Sequence, residues 1–133
     1  GSWRAAFPAA RAANVRYQDW LSDADFVHLR GLHTLNMSQC SQEFITDAAF
    51  VNLRGIHTLN MSHCSQEGIT DAALAHLRGI RTLRMLSCSQ RGLTAAAFAP
   101  IAAGLAELYV CGCSDAVRAA AVALRESGVD VYD

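Results

Sequence analysis

Residues 26–49 read FVHLRGLHTLNMSQCSQEFITDAA, and residues 50–73 follow at once as FVNLRGIHTLNMSHCSQEGITDAA. The two copies are identical except at four aligned pairs: His28 and Asn52, Leu32 and Ile56, Gln39 and His63, and Phe44 and Gly68. A third copy at residues 74–97, LAHLRGIRTLRMLSCSQRGLTAAA, agrees with the second at more than half of its positions. A fixed period of this length predicts a stack of small supersecondary units, because each unit can bury its apolar face only against a neighbour.

The first half of each unit predicts a β-strand. In the first copy, the apolar residues Leu35 and Met37 alternate with the polar residues Thr34, Asn36 and Ser38. Such alternation is typical of a strand with one apolar and one polar face. The second and third copies repeat it in phase, and residues 105–113 recover the spacing LxxLxLxxC after a slip of one position.

The second half of each unit predicts a short helix of about two turns. Thr46 is a suitable N-cap, and Asp47 would lie at the positive end of the helix dipole. The apolar residues that follow recur at helical spacing and end at Leu53. Gly55 then stands where a left-handed C-terminal cap is required.

The two ends of the chain depart from the repeat. We expect residues 14–17 to form a first edge strand, with Trp3, Phe7 and Trp20 covering the open apolar end of the stack. At the other end, residues 117–124 predict a helix and residues 129–132 a closing strand. The predicted organisation is one domain, with an N-terminal capping segment at 1–25, repeats at 26–113 and a C-terminal capping helix and strand at 114–133.

The repeated unit resembles the leucine-rich repeat, and more closely the cysteine-containing class of F-box substrate receptors and their relatives. The resemblance covers roughly residues 15–133. It is carried by the residues Leu32, Leu35, Met37, Cys40, Ile45, Thr46, Asp47 and Leu53, together with their copies. It implies an α/β fold: a short leucine-rich-repeat solenoid with one parallel strand and one short helix per 24-residue repeat. It also implies a concave sheet face that binds another protein.

Composition argues against several classes of partner. The net charge of the 133-residue chain is −1, which does not favour a nucleic-acid partner. No apolar run approaches the roughly 18 residues that would predict a membrane span. Four of the five cysteines recur once per repeat, which is typical of reduced packing residues and predicts an intracellular, cytoplasmic protein.

The sequence predicts neither catalysis nor a metal site nor a cofactor. Cys40, Cys64, Cys88 and Cys113, here called the cysteine ladder, should stack about 4.8 Å apart on successive strands. Such a column does not converge on a tetrahedral metal site. Cys111 should be exposed. The histidines are copied together with their repeats, which indicates surface residues, and no nucleophile, base and acid can be placed together.

The predicted binding surface is the polar face of the strands. Its residues are Thr34, Asn36, Ser38, Thr58, Asn60, Ser62, Arg81, Thr82, Arg84, Leu86, Glu107 and Tyr109. The first two rows are identical and equally suit a sheet face of hydrogen-bonded polar columns. The later rows introduce Arg84 and Tyr109, residue types that are enriched in interface hot spots.

The sequence therefore predicts a non-enzymatic protein–protein interaction module. The alternative is a structural or self-associating repeat scaffold, in which exposed end strands pair between chains. The near-identity of the first two copies suits that alternative, as it would suit a fragment of a larger array or an engineered one. The oligomeric mass in solution discriminates between the two predictions.

Overall fold

The computed structural model describes residues 9–18, 20–40 and 43–133, and the predicted roles of Trp3 and Phe7 lie outside them. Strands and short helices alternate along the chain. The strands are β1 (Ala12–Asn14), β2 (Thr34–Asn36), β3 (Thr58–Asn60), β4 (Thr82–Arg84), β5 (Glu107–Tyr109) and β6 (Asp130–Tyr132). They form one six-stranded sheet in chain order, with every pair parallel. This α/β arrangement is consistent with a solenoid-like repeat.

The strand register follows the period of the sequence. Thr34 pairs with Thr58, and Thr58 pairs with Thr82, so each residue lies beside its counterpart in the next copy. Thr82 then pairs with Glu107, which confirms the predicted slip of one position. The central residue of β2 to β6 is buried, and so are the apolar residues that follow each of β2 to β5.

The helices are short and lie on the other side of the core. They are a 3₁₀ helix at Asp23–Leu29, α1 (Asp47–Phe50) followed by a 3₁₀ turn at Val51–Leu53, α2 (Asp71–Ala75) and α3 (Asp115–Arg125). Thr46 accepts a hydrogen bond from the backbone N–H of Ala48 at 3.3 Å, which confirms its predicted role as an N-cap. Gly55 has a φ of 84°, which confirms the predicted left-handed cap.

Two predicted elements are wrong in detail. The first strand is Ala12–Asn14 rather than residues 14–17, because Tyr17 adopts a φ of 60° in a left-handed turn. Between β4 and β5, residues 95–104 form successive turns in place of the predicted helix. Pro100 explains part of this difference, since it has no N–H to donate and its ring clashes with the preceding turn. Ala95 also replaces the aspartate that begins α1 and α2.

Trp20 lies beside the first strand, at the end of the sheet that it was predicted to cover. Together with Ala13 and Val15 it lines a pocket there, and its indole N–H donates to the Gln18 side chain at 2.7 Å. The Trp20 side chain is nevertheless 52% exposed. It therefore covers this end of the stack only in part.

The cysteine ladder is buried in the core. Each thiol donates to a backbone carbonyl of the preceding unit at 2.9 to 3.1 Å; the acceptors are Val15, Met37, Met61 and Met85 in turn. Burial raises the pKa of all four thiols, that of Cys88 to about 12. Cys111, by contrast, is exposed as predicted.

Aspartates at the helix starts join successive units. In each pair, the carboxylate accepts hydrogen bonds from both the backbone N–H and the hydroxyl of a threonine in the next unit. The pairs are Asp23–Thr46, Asp47–Thr70 and Asp71–Thr94. These Asp–Thr pairs were not predicted, because the sequence alone assigned Asp47 only to the dipole of its own helix.

The C-terminal strand is shielded at its outer edge. The carbonyl of Val131 faces away from β5, because Asp130 N–H and the Tyr132 carbonyl make the bonds to that side. The Arg125 guanidinium donates to the Val131 carbonyl at 2.9 Å and to Asp133 at 2.5 Å. The hydrogen bond from Arg125 lowers the pKa of Asp133.

No helix among the described residues has the length and apolar character needed to cross a membrane.

Candidate partner-binding surface

A cation–aromatic stack crosses the last three strands of the sheet. The Arg84 guanidinium carbon lies 4.3 Å from the centre of the Tyr109 ring, and the ring of Tyr132 stacks on Tyr109 at 4.5 Å with an interplanar angle of 12°. The three residues are register partners on β4, β5 and β6. Arg84 and Tyr109 therefore lie on adjacent strands, as the repeat period predicts.

Tyr132 was missed as a member of this surface. The closing strand was predicted, but its pairing with β5 was not. A signal was available, because Asp130-Val131-Tyr132 repeats the acidic, apolar and tyrosine pattern of Glu107-Leu108-Tyr109. The Tyr132 side chain is 49% exposed, so it offers the outermost aromatic surface of the stack.

Glu107 holds Tyr109 of the stack in place. The Tyr109 hydroxyl donates to the Glu107 carboxylate at 3.0 Å, and this bond raises the pKa of Tyr109. Thr82 donates to the other carboxylate oxygen of Glu107 at 3.4 Å. Arg81 is exposed one residue before β4. Within the described part of the chain, its side chain does not contact the stack.

Three asparagines lie at the ends of β1, β2 and β3, on the half of the sheet away from the stack. The Oδ1 atoms of Asn14, Asn36 and Asn60 each accept from the backbone N–H two residues further along, at 3.0 to 3.1 Å. Each asparagine thus bonds to its own strand end rather than across the sheet, which does not fit the alternative of hydrogen-bonded asparagine columns. Their Nδ2 groups have no hydrogen-bond partner among the described residues, so they remain available as donors.

The two serines of the predicted surface are buried. Ser38 is 6% exposed and Ser62 is 5% exposed, because both lie in the turn after the strand rather than on its outer face. Ser38 donates to Oδ1 of Asn36 at 2.6 Å, and the Ser62 hydroxyl accepts from the backbone N–H of Leu86 at 3.2 Å. Both serines therefore hold the turn, and the expectation that they are exposed is wrong.

A shallow groove of about 260 Å³ runs along the strand ends. We call it the strand-end groove; its lining residues are Arg16, Asn36, Ser38, Gln39, Asn60, Ser62, His63, Arg84 and Leu86. His63 and Gln39 have φ values of 60° and 63°, so left-handed turns set the direction of these side chains. Arg84 belongs to both the groove and the stack. Thr34, Thr58 and Arg81 lie towards the opposite ends of their strands and line neither.

His33 and His57 lie side by side outside the strand-end groove. The rings of His33 and His57 stack at 4.5 Å, and the guanidinium of Arg11 lies 3.0 Å from Nε2 of His33. Within the described ranges, no cluster of three or more histidine, cysteine, aspartate or glutamate side chains is arranged to hold a metal ion.

No protein-family model and no curated protein sequence matches this chain.

Proposed function

We propose that this chain is a short leucine-rich-repeat solenoid that binds a protein partner on its concave sheet face. The observation that carries the proposal is the stack of Arg84, Tyr109 and Tyr132. Arginine and tyrosine are among the residue types that most often supply binding energy at interfaces, and here they are adjacent and accessible to solvent.

The surface is restrained before any partner binds. Tyr109 is held by its hydrogen bond to Glu107 and by the Tyr132 ring, while Arg84 lies against the face of Tyr109. Each immobilised side chain usually costs about 0.5–1.5 kcal/mol of ordering on association. Because these side chains are already ordered, much of that cost falls on folding rather than on binding.

We give less weight to a self-associating scaffold, because Arg125 occupies an outer carbonyl of β6 and charges that edge.

We also propose that the protein has no enzymatic activity and works in the cytoplasm. The five free cysteines, four of them buried in one column, support a reducing compartment.

Selection from a displayed library of random 12-residue peptides tests the proposal. We expect peptides that bind the immobilised protein, with affinity reduced at least about tenfold by Arg84→Ala and by Tyr109→Ala. Arg78→Ala and Phe44→Ala are matched controls, because both side chains are exposed outside the sheet face. Circular dichroism verifies that each variant is folded.

The proposal fails if no peptide is enriched. It also fails if the selected peptides ignore Arg84 and Tyr109 but lose affinity with the control substitutions.

A further inference from the structure

The strand-end groove presents hydrogen-bond donors. Its lining includes Asn36 and Asn60, whose Oδ1 atoms are engaged by the backbone and whose Nδ2 groups are left as donors. Arg16 and Arg84 also line it, and none of the described residues that line it carries a carboxylate. A ligand that fits this groove must therefore supply acceptors, and preferably negative charge.

Both arginines are held by a tyrosine ring. Arg16 lies 4.9 Å from the centre of the Tyr17 ring and donates to the Tyr17 hydroxyl at 3.0 Å. Arg84 lies over Tyr109 at 4.3 Å. Neither arginine forms an ion pair with another described residue. The Tyr109 ring covers one face of the Arg84 guanidinium and leaves its N–H edge to bind a carboxylate, which the planar fork matches bidentately. Arg16 keeps for the same purpose the N–H groups that do not bond to Tyr17.

We infer that the strand-end groove binds an extended acidic peptide, with one carboxylate on Arg84 and a second on Arg16. This inference rests on the proposed function and specifies the chemistry of its partner. The asparagine amides would then donate to acceptors on the segment between the two carboxylates. An aromatic or apolar residue beyond the first carboxylate would lie on Tyr109 and Tyr132.

The geometry also sets the spacing of the two acidic residues. Arg16 lies two residues past the register partner of Arg84 on β1, so three strand spacings of about 4.8 Å and an offset of about 6.6 Å place their Cα atoms roughly 16 Å apart. An extended peptide advances about 3.3 Å per residue, and its side chains alternate between faces. Acidic residues four positions apart come nearest to both requirements, since they share one face and their backbones lie about 13 Å apart.

A peptide suits this surface better than a nucleic acid. A base stacked on Tyr132 would bring its phosphates near Glu107 and Asp130, which are register partners on β5 and β6. Like charges at that distance are unfavourable. A peptide backbone that passes the same residues carries no such charge.

The experiment repeats the 12-residue library selection on the wild-type protein and on the double variant Arg16→Glu, Arg84→Glu. We expect the wild-type pool to be enriched in pairs of acidic residues four positions apart, and the double variant to lose that enrichment. Arg78→Glu, which reverses the charge of one arginine outside the groove, is the control for a change of net charge. Fluorescence anisotropy then compares labelled GSEVTVESG, GSQVTVQSG, GSVETVESG and hexauridylate. The first should bind at least about tenfold more tightly than the uncharged and shifted peptides.

The outcomes separate the two proposals. Peptides that need Tyr109 but carry no acidic pair would overturn this inference and leave the proposed function standing. Absence of any selected peptide would overturn both. Hexauridylate binding more tightly than GSEVTVESG, or equal loss of binding in Arg78→Glu, would also overturn the inference. Arg84→Lys, which keeps the charge but lacks the planar fork, should still weaken binding of GSEVTVESG several-fold.

Discussion

Asp47 binds Thr70 through both of its carboxylate oxygens, at 2.7 Å to the backbone N–H and 2.5 Å to the hydroxyl. The same threonine oxygen accepts from the N–H of Ala72 and so caps α2. One residue pair therefore fixes both the start of a helix and its position against the preceding unit. Charge-assisted bonds of this kind are stronger than neutral ones.

Replacing Asp47 with asparagine should reduce the free energy of unfolding by about 1–3 kcal/mol, because an amide cannot accept from both donors of Thr70. Urea denaturation at neutral pH measures the change. Asp115→Asn is the matched control, since the Asp115 side chain is fully exposed and its pairing with Arg118 is at 4.0 Å. Equal effects of the two substitutions would contradict the structural role of the Asp–Thr pairs.

Deleting residues 50–73 should leave a folded and shorter protein, because it removes one full unit and preserves the register of every later strand. Deleting residues 50–61 alone should unfold the chain, since it puts every later strand out of register. Circular dichroism and thermal melting distinguish the two products. The repeat interpretation is wrong if both deletions behave alike.

Stability should fall at alkaline pH because of the cysteine ladder. Burial raises the pKa of the folded-state Cys88 thiol to about 12, whereas an unfolded thiol ionises near 9. Above pH 9 the unfolded state therefore holds fewer protons, and the stabilisation that is complete below pH 9 is lost as pH rises towards 12. Each such thiol contributes a slope of up to about 1.4 kcal/mol per pH unit.

Cys88→Ser isolates this effect, because a serine hydroxyl can still donate to the Met61 carbonyl but does not ionise. Urea denaturation between pH 8 and pH 10.5 should show a shallower decline for the variant than for the wild type. Parallel declines would show that the Cys88 thiol remains protonated in both states or ionises in both.

Arg125→Ala should promote self-association, because it exposes the Val131 carbonyl on the outer edge of β6. Light scattering across a concentration series should show a mass that grows for the variant and remains constant for the wild type. Arg118→Ala, on the same helix, removes a positive charge without touching that edge. If both variants remain monomeric, Arg125 does not guard the strand.

The strand positions could be predicted because buried leucines recur at a fixed interval, and the interval itself sets the register. This is why the contact between Arg84 and Tyr109 followed from counting residues. The first strand and the helix of the third copy were predicted wrongly where a local conformation overrides the period. Tyr17 turns the chain into a left-handed conformation, and Pro100 interrupts helical bonding.

The bonds between units could not be predicted from the sequence. Whether Asp47 reaches Thr70 depends on the rise and rotation from one unit to the next, which hydrophobic spacing does not specify. The same holds for the strand-end groove. Arg16 lies outside the repeated copies, and it joins Arg84 at the groove only because β1 pairs with β2 at Ala12 and Thr34.

Each Asp–Thr pair points in one direction, with the acceptor in the earlier unit and both donors in the later one. Successive units therefore join head to tail. An inserted copy of residues 50–73 would form an Asp–Thr pair with the unit on each side. The series ends at Thr94, because Ala95 offers no carboxylate to a further unit. The series of pairs can therefore lengthen by internal duplication, whereas β5 and β6 join the sheet without such a pair. Each added copy would separate Arg16 from Arg84 by one more strand and so change the length of ligand that fits between them.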